Sequence, residues 1–259
     1  MTEHIRVEKS GGVLTLTLNR PEKKNALTRA MYQALGEAID GSVSDREVRC
    51  VLIQAEGDAF TAGNDIADFA AVNAGDSAGR VVAVEGNPLL AALARAKTPL
   101  VAAVQGRAVG VGLTMLLHCD LVYVAEDAIL SAPFVNLALV PEAASSLLLP
   151  ARIGHVRAFA MFALGETIDG TTAAAWGIAN AALPAAKVRA RARAAAEAIA
   201  AKPPAAVIKT KALMRDEQAV IAHIALEGAR FLEQLRSPEA REAFAAFAEK
   251  RAPDFGKVA

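Results

Sequence analysis

Apolar and polar positions change period along this chain, and the changes mark its elements. Residues 5–8 and 13–19 alternate around Gly11-Gly12, which predicts a β-hairpin ended by Asn19-Arg20-Pro21. The pattern then turns helical. Met31, Leu35, Ala38 and Ile39 fall on one face of a helix that Thr28 caps and that runs to about Val43. Residues 48–55 are almost continuously apolar, as a central strand is. The small, polar stretch 68–79 predicts a mobile segment, followed by a helix over roughly 81–96. Strands are expected at 99–105 and 121–125, with short strand candidates at 129–131 and 135–137. Alternating strands and helices to about residue 190 predict an α/β fold. The rest reads as helix: 185–201, a break at Pro203-Pro204, then 205–215, 217–235 and a last helix after Ser237-Pro238.

Two turns stand out against this pattern. In VQGRAVGVGLTMLLHCD (104–120) an apolar strand runs into Gly106, Gly110 and Gly112, and a helix-like apolar run follows at 113–117. In AFTAGNDIADF (59–69) a second apolar strand runs into a small-residue turn at Gly63. Small residues spaced this way also serve tight helix packing. Taken together, two such turns can each aim a backbone N–H at one oxygen, which is the design of an oxyanion hole.

Composition narrows the setting. Apolar residues make up 54% and aromatics only 5%, so the core must be built from Ala, Val, Leu and Ile. The 28 basic and 28 acidic residues cancel, which argues against nucleic acid or an anionic membrane as the main partner. Cys50 and Cys119 lie in apolar runs and read as buried free thiols of a reducing compartment. The opening MTEHIRVEKS has no apolar signal core, and no apolar run reaches the roughly 18 residues of a membrane span. A soluble cytoplasmic protein is the expectation.

Glu142, in LVPEAASSLLLP, is the candidate acid–base group. On the residues alone two readings stay open: a solvated residue in the first turn of a helix, or a carboxyl buried among apolar neighbours. Burial would raise its pKa and a helix start would lower it. Asp65 and Asp68 read as caps or turn formers, and His118 as a satisfied core histidine. Lys23 and Lys24 could meet a phosphate or simply occupy a solvated turn. No His, Cys or Asp spacing suggests a metal site, and no cofactor is expected.

These stretches are familiar in combination. NRPEKKNALT (19–28), AFTAGNDI (59–66), AVQGRAVGVGL with CDLVYVAEDA behind it, and the tail EKRAPDF (249–255) resemble the crotonase, or enoyl-CoA hydratase/isomerase, superfamily over nearly the whole chain. The resemblance implies a ClpP-like spiral of ββα units (residues 1–195) and a helical C-terminal region (196–259) that assembles homotrimers or hexamers. It implies an acyl-CoA thioester as substrate, its oxygen held by the N–H groups of Asn64 and Val111, the latter just after Gly110. The CoA and acyl parts would meet Lys23, Lys24, Ala26, Ala62, Asp65, Ile66 and Phe134, and the tail around Phe255 would complete a neighbour's site.

Hydratases of the family use two glutamates, where this chain has Thr114 and the Phe134 of Pro133-Phe134. Glu142, eight residues beyond Phe134, stands where the peroxisomal-type Δ(3)-Δ(2)-enoyl-CoA isomerases carry a single glutamate. Pro141-Glu142-Ala143-Ala144-Ser145-Ser146 also looks like that branch. The resemblance therefore implies an isomerase of 3-enoyl-CoA in fatty acid oxidation. The alternatives are a hydratase-like or hydrolytic enzyme and a non-catalytic acyl-CoA binder.

Overall fold

The computed structural model describes residues 2–65 and 86–258. The hairpin forms as expected: β1 (Ile5–Ser10) and β2 (Val13–Leu18) pair antiparallel, Ile5 opposite Leu18. After α1 (Arg29–Ser44), capped by the Thr28 side chain, β3 (Cys50–Ala55) adds parallel to β2. The next described helix, α2, is Pro88–Arg95. Its Asn87 side chain accepts from the N–H groups of Leu89 and Leu90, and Pro88 takes the first helical position, where a missing N–H costs nothing. Positions 81–85 of the expected helix, and the stretch 68–79, lie outside the described residues.

From here the chain winds in coils. Each coil gives a long strand to one sheet and a short strand to another. β4 (Leu100–Val104) is followed by β5 (Arg107–Val109), and β6 (Leu121–Ala125) by β7 (Ile129–Ser131). The same step occurs one coil earlier, where β3 is followed by Thr61, which bridges in parallel to Ala108 of β5. Coil order is kept in both sheets. The large sheet runs β1-β2-β3-β4-β6-β9, with β9 at Ala181–Leu183, and the small one β5-β7-β8, with β8 at Ile168–Asp169. β2 and β4 are buried at every position; β4 accordingly reads as an unbroken apolar run, while β2 alternates because Thr15 and Thr17 are buried with its leucines.

Short helices follow the small-sheet strands: α3 (Val111–Thr114), continuing as a 3-10 turn over Met115–His118, then α4 (Ser145–Ile153), α5 (His155–Phe159) and α6 (Gly170–Ala175). The expected strand at Val135–Leu137 is instead a 3-10 turn, with Leu137 and Leu139 both donating to the Phe134 carbonyl. Pro133 beside it has no N–H to give a ladder. The helical remainder matches its reading: α7 (Ala185–Ala200), α8 (Pro204–Met214), α9 (Glu217–Leu235) and α10 (Pro238–Ala248). α7 packs across β3, β4 and β6, and α9 against α2. Both cysteines are free and buried, and burial pushes each thiol up to about 12.

Candidate active site

The two glycine turns lie side by side because they end neighbouring strands of the small sheet. Thr61 donates its N–H to the Arg107 carbonyl at 2.9 Å, and Val109 donates to the Thr61 carbonyl at 3.0 Å. Beyond these bonds the chains approach so closely that side chains would not fit. A Cβ on Gly63, where φ is +96°, would sit 2.9 Å from the Val109 oxygen, and one on Gly112 would sit 2.6 Å from the Thr61 methyl. The glycine N–H groups themselves are used: Gly63 donates to Thr61 Oγ1 at 3.1 Å and Gly110 to the Ser131 carbonyl at 2.9 Å. The N–H groups that follow, on Asn64 and Val111, have no acceptor among the described residues. The Asn64 side chain is fixed by the Tyr32 hydroxyl, which donates to its Oδ1.

Both turns open on one cavity of about 530 Å³, whose wall includes Ala62, Gly63, Asn64, Gly110, Val111 and Phe134. Phe134 is held by Phe162, with ring centroids 6.2 Å apart. The far side comes from the same chain's C-terminal helices and tail, through Phe231, Ala243, Phe247, Arg251 and Pro253. Phe255 is not on this wall and is partly exposed. A larger hollow, about 740 Å³, lies beside α4 and α8. Three of its four lysine and arginine side chains are spent on protein partners, Arg152 on the Leu117 carbonyl, Lys211 on Asp120 and Arg215 on His118, and the fourth, Lys202, is exposed.

Glu142 is buried, at 4% exposure, and α4 begins only at Ser145, so the solvated helix-cap reading is overturned. Thr114 Oγ1 donates to its Oε1 at 2.6 Å, and its Oε2 has no hydrogen bond among the described residues. Thr114 in turn donates its N–H to the Gly110 carbonyl at 3.0 Å, so the carboxyl is tied about one helical turn beyond Val111. Glu142 and Thr114 are not themselves on the cavity wall; they lie three residues past the wall residues Leu139 and Val111. Burial is the main cause that pushes the Glu142 carboxyl up to about 7; the charge of Glu227 adds to the rise and the Thr114 bond opposes it.

The turn after Glu142 is tight. Ala143 and Ala144 both adopt left-handed backbone, with φ +60° and +55°, and both are fully buried. Alanine holds such a conformation only when its surroundings enforce it. One enforcing contact is His118, whose Nε2 donates to the Ala143 carbonyl at 2.7 Å while Nδ1 accepts from Arg215 at 2.6 Å. Burial lowers the His118 pKa to about 3, so the ring is neutral, in accord with the core-histidine reading.

The residues expected to meet CoA lie next to the first turn. Ala62 donates its N–H to the Lys24 carbonyl at 2.9 Å, and Leu27 donates to the Gly63 carbonyl at 2.8 Å. Asp65 is paired with Arg20 at 2.7 Å, and the same guanidinium donates to the Ala26 carbonyl at 3.0 Å. Lys24 pairs with Asp58 at the surface, Lys23 is exposed, and Ile66 lies outside the described residues. Asn25 went unnoticed in the sequence. It is fully buried, left-handed at φ +53°, and its amide donates to the carbonyls of Glu56 and Ala59.

Residues 8–258 match the family model described as enoyl-CoA hydratase/isomerase. The chain belongs to this family, the crotonase superfamily. Its sequence is 32% identical over 246 residues to a probable enoyl-CoA hydratase of Bacillus subtilis (strain 168), covering 94% of this chain and 95% of that protein. It is 31% identical over 259 residues to the 1,2-epoxyphenylacetyl-CoA isomerase of Escherichia coli (strain K12), covering 98% and 99%. In structure it resembles the enoyl-CoA hydratase/isomerase of Pseudoalteromonas atlantica T6c, with a TM-score of 0.90, 42% identity, and coverage of 98% of this chain and 100% of that one. The crotonase fold is therefore the fold of this chain, and its two-sheet coil is what sets the two glycine turns together.

One buried ionisable residue of the region was missed in the sequence. Glu227, on α9, is 5% exposed and accepts from Ser146. Its signal was there: Val220, Ile224, Phe231 and Leu235 form the buried stripe of α9, and Glu227 falls on that stripe.

Proposed function

We propose that this enzyme shifts the double bond of a 3-enoyl-CoA to the 2-position, with Glu142 as the single acid–base group. The observation that carries the reading is the buried Glu142 carboxyl, bonded to Thr114 one turn beyond Val111. In this reading the Glu142 carboxylate takes a proton from the α carbon. The electron pair moves onto the thioester oxygen, and the resulting dienolate is held by the N–H groups of Asn64 and Val111. Glu142 then returns the proton to the γ carbon, which leaves the conjugated 2-enoyl-CoA. Each oxyanion donor contributes roughly 3 to 4 kcal/mol to such a step. A base whose pKa sits near 7 is well matched to it.

Hydration would need a second group to activate or protonate water. Among the described residues the only ionisable side chain on the cavity wall is Arg251, which donates to Glu242 at the surface. Behind the wall, the one hydrogen bond to the Glu142 carboxyl among the described residues comes from the Thr114 hydroxyl, which is not an acid–base group at neutral pH, and the two observations together support isomerisation over hydration. The acyl-CoA would enter by the Lys23, Lys24, Ala26 and Asp65 side, next to Ala62. No cofactor takes part. Self-association through the helical region 196–259 belongs to the same proposal, supported by the large apolar side chains Leu213 and Met214, which α8 leaves more than four-fifths exposed.

The test is turnover of 3-hexenoyl-CoA and of 2-hexenoyl-CoA, followed by the conjugated-thioester absorbance and by product mass. The expected result is growth of the conjugated signal from the 3-enoyl substrate without a change of mass. Glu142→Gln is expected to abolish this and to leave CoA binding intact. Near-wild-type turnover in that variant, or addition of water to the 2-enoyl substrate by the native enzyme, overturns the reading.

A further inference from the structure

The turn that carries Glu142 is fastened from the far side by a second buried carboxylate. Glu227 Oε1 accepts from the Ser146 N–H at 2.8 Å and from the Ser146 hydroxyl at 2.5 Å. That hydroxyl in turn accepts from His223 Nε2, 2.8 Å away. The donors therefore run in one direction, from the half-buried His223 ring through Ser146 to Glu227. The other oxygen, Glu227 Oε2, is buried and has no partner among the described residues; nor has the buried hydroxyl of Ser145. A buried carboxylate oxygen left without a partner is costly, and its charge is poorly screened. Ser145 donates its N–H to the Glu142 carbonyl at 3.0 Å, so the left-handed pair Ala143-Ala144 is clamped between Glu142 and the residue that Glu227 holds.

We propose that Glu227 is a positioning residue of this site: a second buried carboxylate that fastens the turn carrying Glu142 and acts on its chemistry through that turn and through charge. The proposal rests on the reading of Glu142 as the acid–base group. The groups that face the pair are few. Thr114 of α3 donates to Glu142. Ser146 of α4 and His223 of α9 face Glu227. His118 reaches only the Ala143 carbonyl, is neutral, and has Arg215 on its far side. Two carboxyls that share a buried region cannot both ionise freely, and they titrate as a pair. With two donors on its Oε1, Glu227 is the member that keeps the charge, and Glu142 the member that holds the proton. Burial raises both carboxyls, and the charge of Glu227 adds to the rise at Glu142.

The experiment is an infrared titration of the buried carboxyl band in the whole enzyme, together with pH profiles of kcat/KM. The Glu142 band is assigned by its loss in Glu142→Gln. In Glu227→Gln, which keeps the shape and an acceptor for Ser146, the Glu142 midpoint is expected to fall by about one pH unit, the scale at which two sites titrate as a pair. The acid limb of kcat/KM is expected to move with it, with KM changing less than kcat. Should that variant not fold, the reciprocal measurement serves: in Glu142→Gln the Glu227 midpoint is expected to fall, because coupling between two sites is mutual. Midpoints that stay in place in both variants overturn the proposal and leave Glu227 a purely structural clamp. The titration does not depend on turnover. A coupled pair in an enzyme whose Glu142→Gln variant still isomerises would keep the coupling and refute the functional reading instead.

Discussion

Replacing Glu142 by Gln is expected to stabilise the protein, and only above the ordinary carboxylate range. In the folded chain the carboxyl titrates at about 7, against 4.5 when exposed. A folded pKa above the unfolded one means that the folded state binds the extra proton between those values. Stability from this group is thus fully present below about 4.5 and is lost as pH rises to about 7. At about 1.4 kcal/mol per pH unit, the loss comes to roughly 3 kcal/mol. Glutamine is neutral throughout and carries no such loss. The assay is urea unfolding of both proteins at one protein concentration. Between about pH 5 and about pH 8, the stability of Glu142→Gln relative to the native enzyme is expected to grow by roughly 2 to 3 kcal/mol. A difference that does not vary with pH refutes the assignment of Glu142 as the buried, proton-holding carboxyl.

Two further outcomes follow from the same geometry. Thr114→Val keeps the shape but removes the hydrogen bond that lowers the Glu142 pKa, so the acid limb of the activity profile, rising near 7, is expected to move to higher pH; an unmoved limb contradicts the pairing. Gly112→Ala puts a Cβ 2.6 Å from the Thr61 methyl and must push the two oxyanion turns apart. A loss of roughly 100-fold in kcat is expected, with the circular dichroism spectrum unchanged, and full activity in that variant would show that the two turns do not act on one oxygen.

The large-sheet strands β3, β4 and β6 were legible because burial on both faces leaves a nearly unbroken apolar run, β2 because it alternates within a hairpin, and α9 because its apolar stripe is long and regular. Of the small sheet only β7, the expected short strand at 129–131, was legible. β5 and β7 have three residues each and β8 has two, too few for any period to show. Its register is set by pairing between coils, Ala108 opposite Leu130 and Leu130 opposite Ile168, with Thr61 bridged to Ala108. The oxyanion turns could be located by their glycines, but their closeness is a property of the coil. Glu142 could be picked out, while its burial could not, because the two left-handed alanines that delay α4 carry no local sign of that conformation. Glu227 was hidden by its surroundings: one charged residue on a long helix reads as surface until the stripe is drawn.

The coil has a consequence for how this kind of site can change its chemistry. Its two N–H donors come from matching points of successive coils, and they are backbone groups, so no side-chain exchange can delete them. On the proposed function, stabilisation of a charged thioester oxygen is thereby built into the winding of the chain. On the same proposal, what is done with that oxygen is set by a few side chains behind it, Thr114 on the helix that begins at Val111 and Phe134 and Glu142 from the next coil. The scaffold works as a fixed electrophile holder with interchangeable proton tools. Moving a carboxyl among those three places would redirect the reaction and leave the holder untouched.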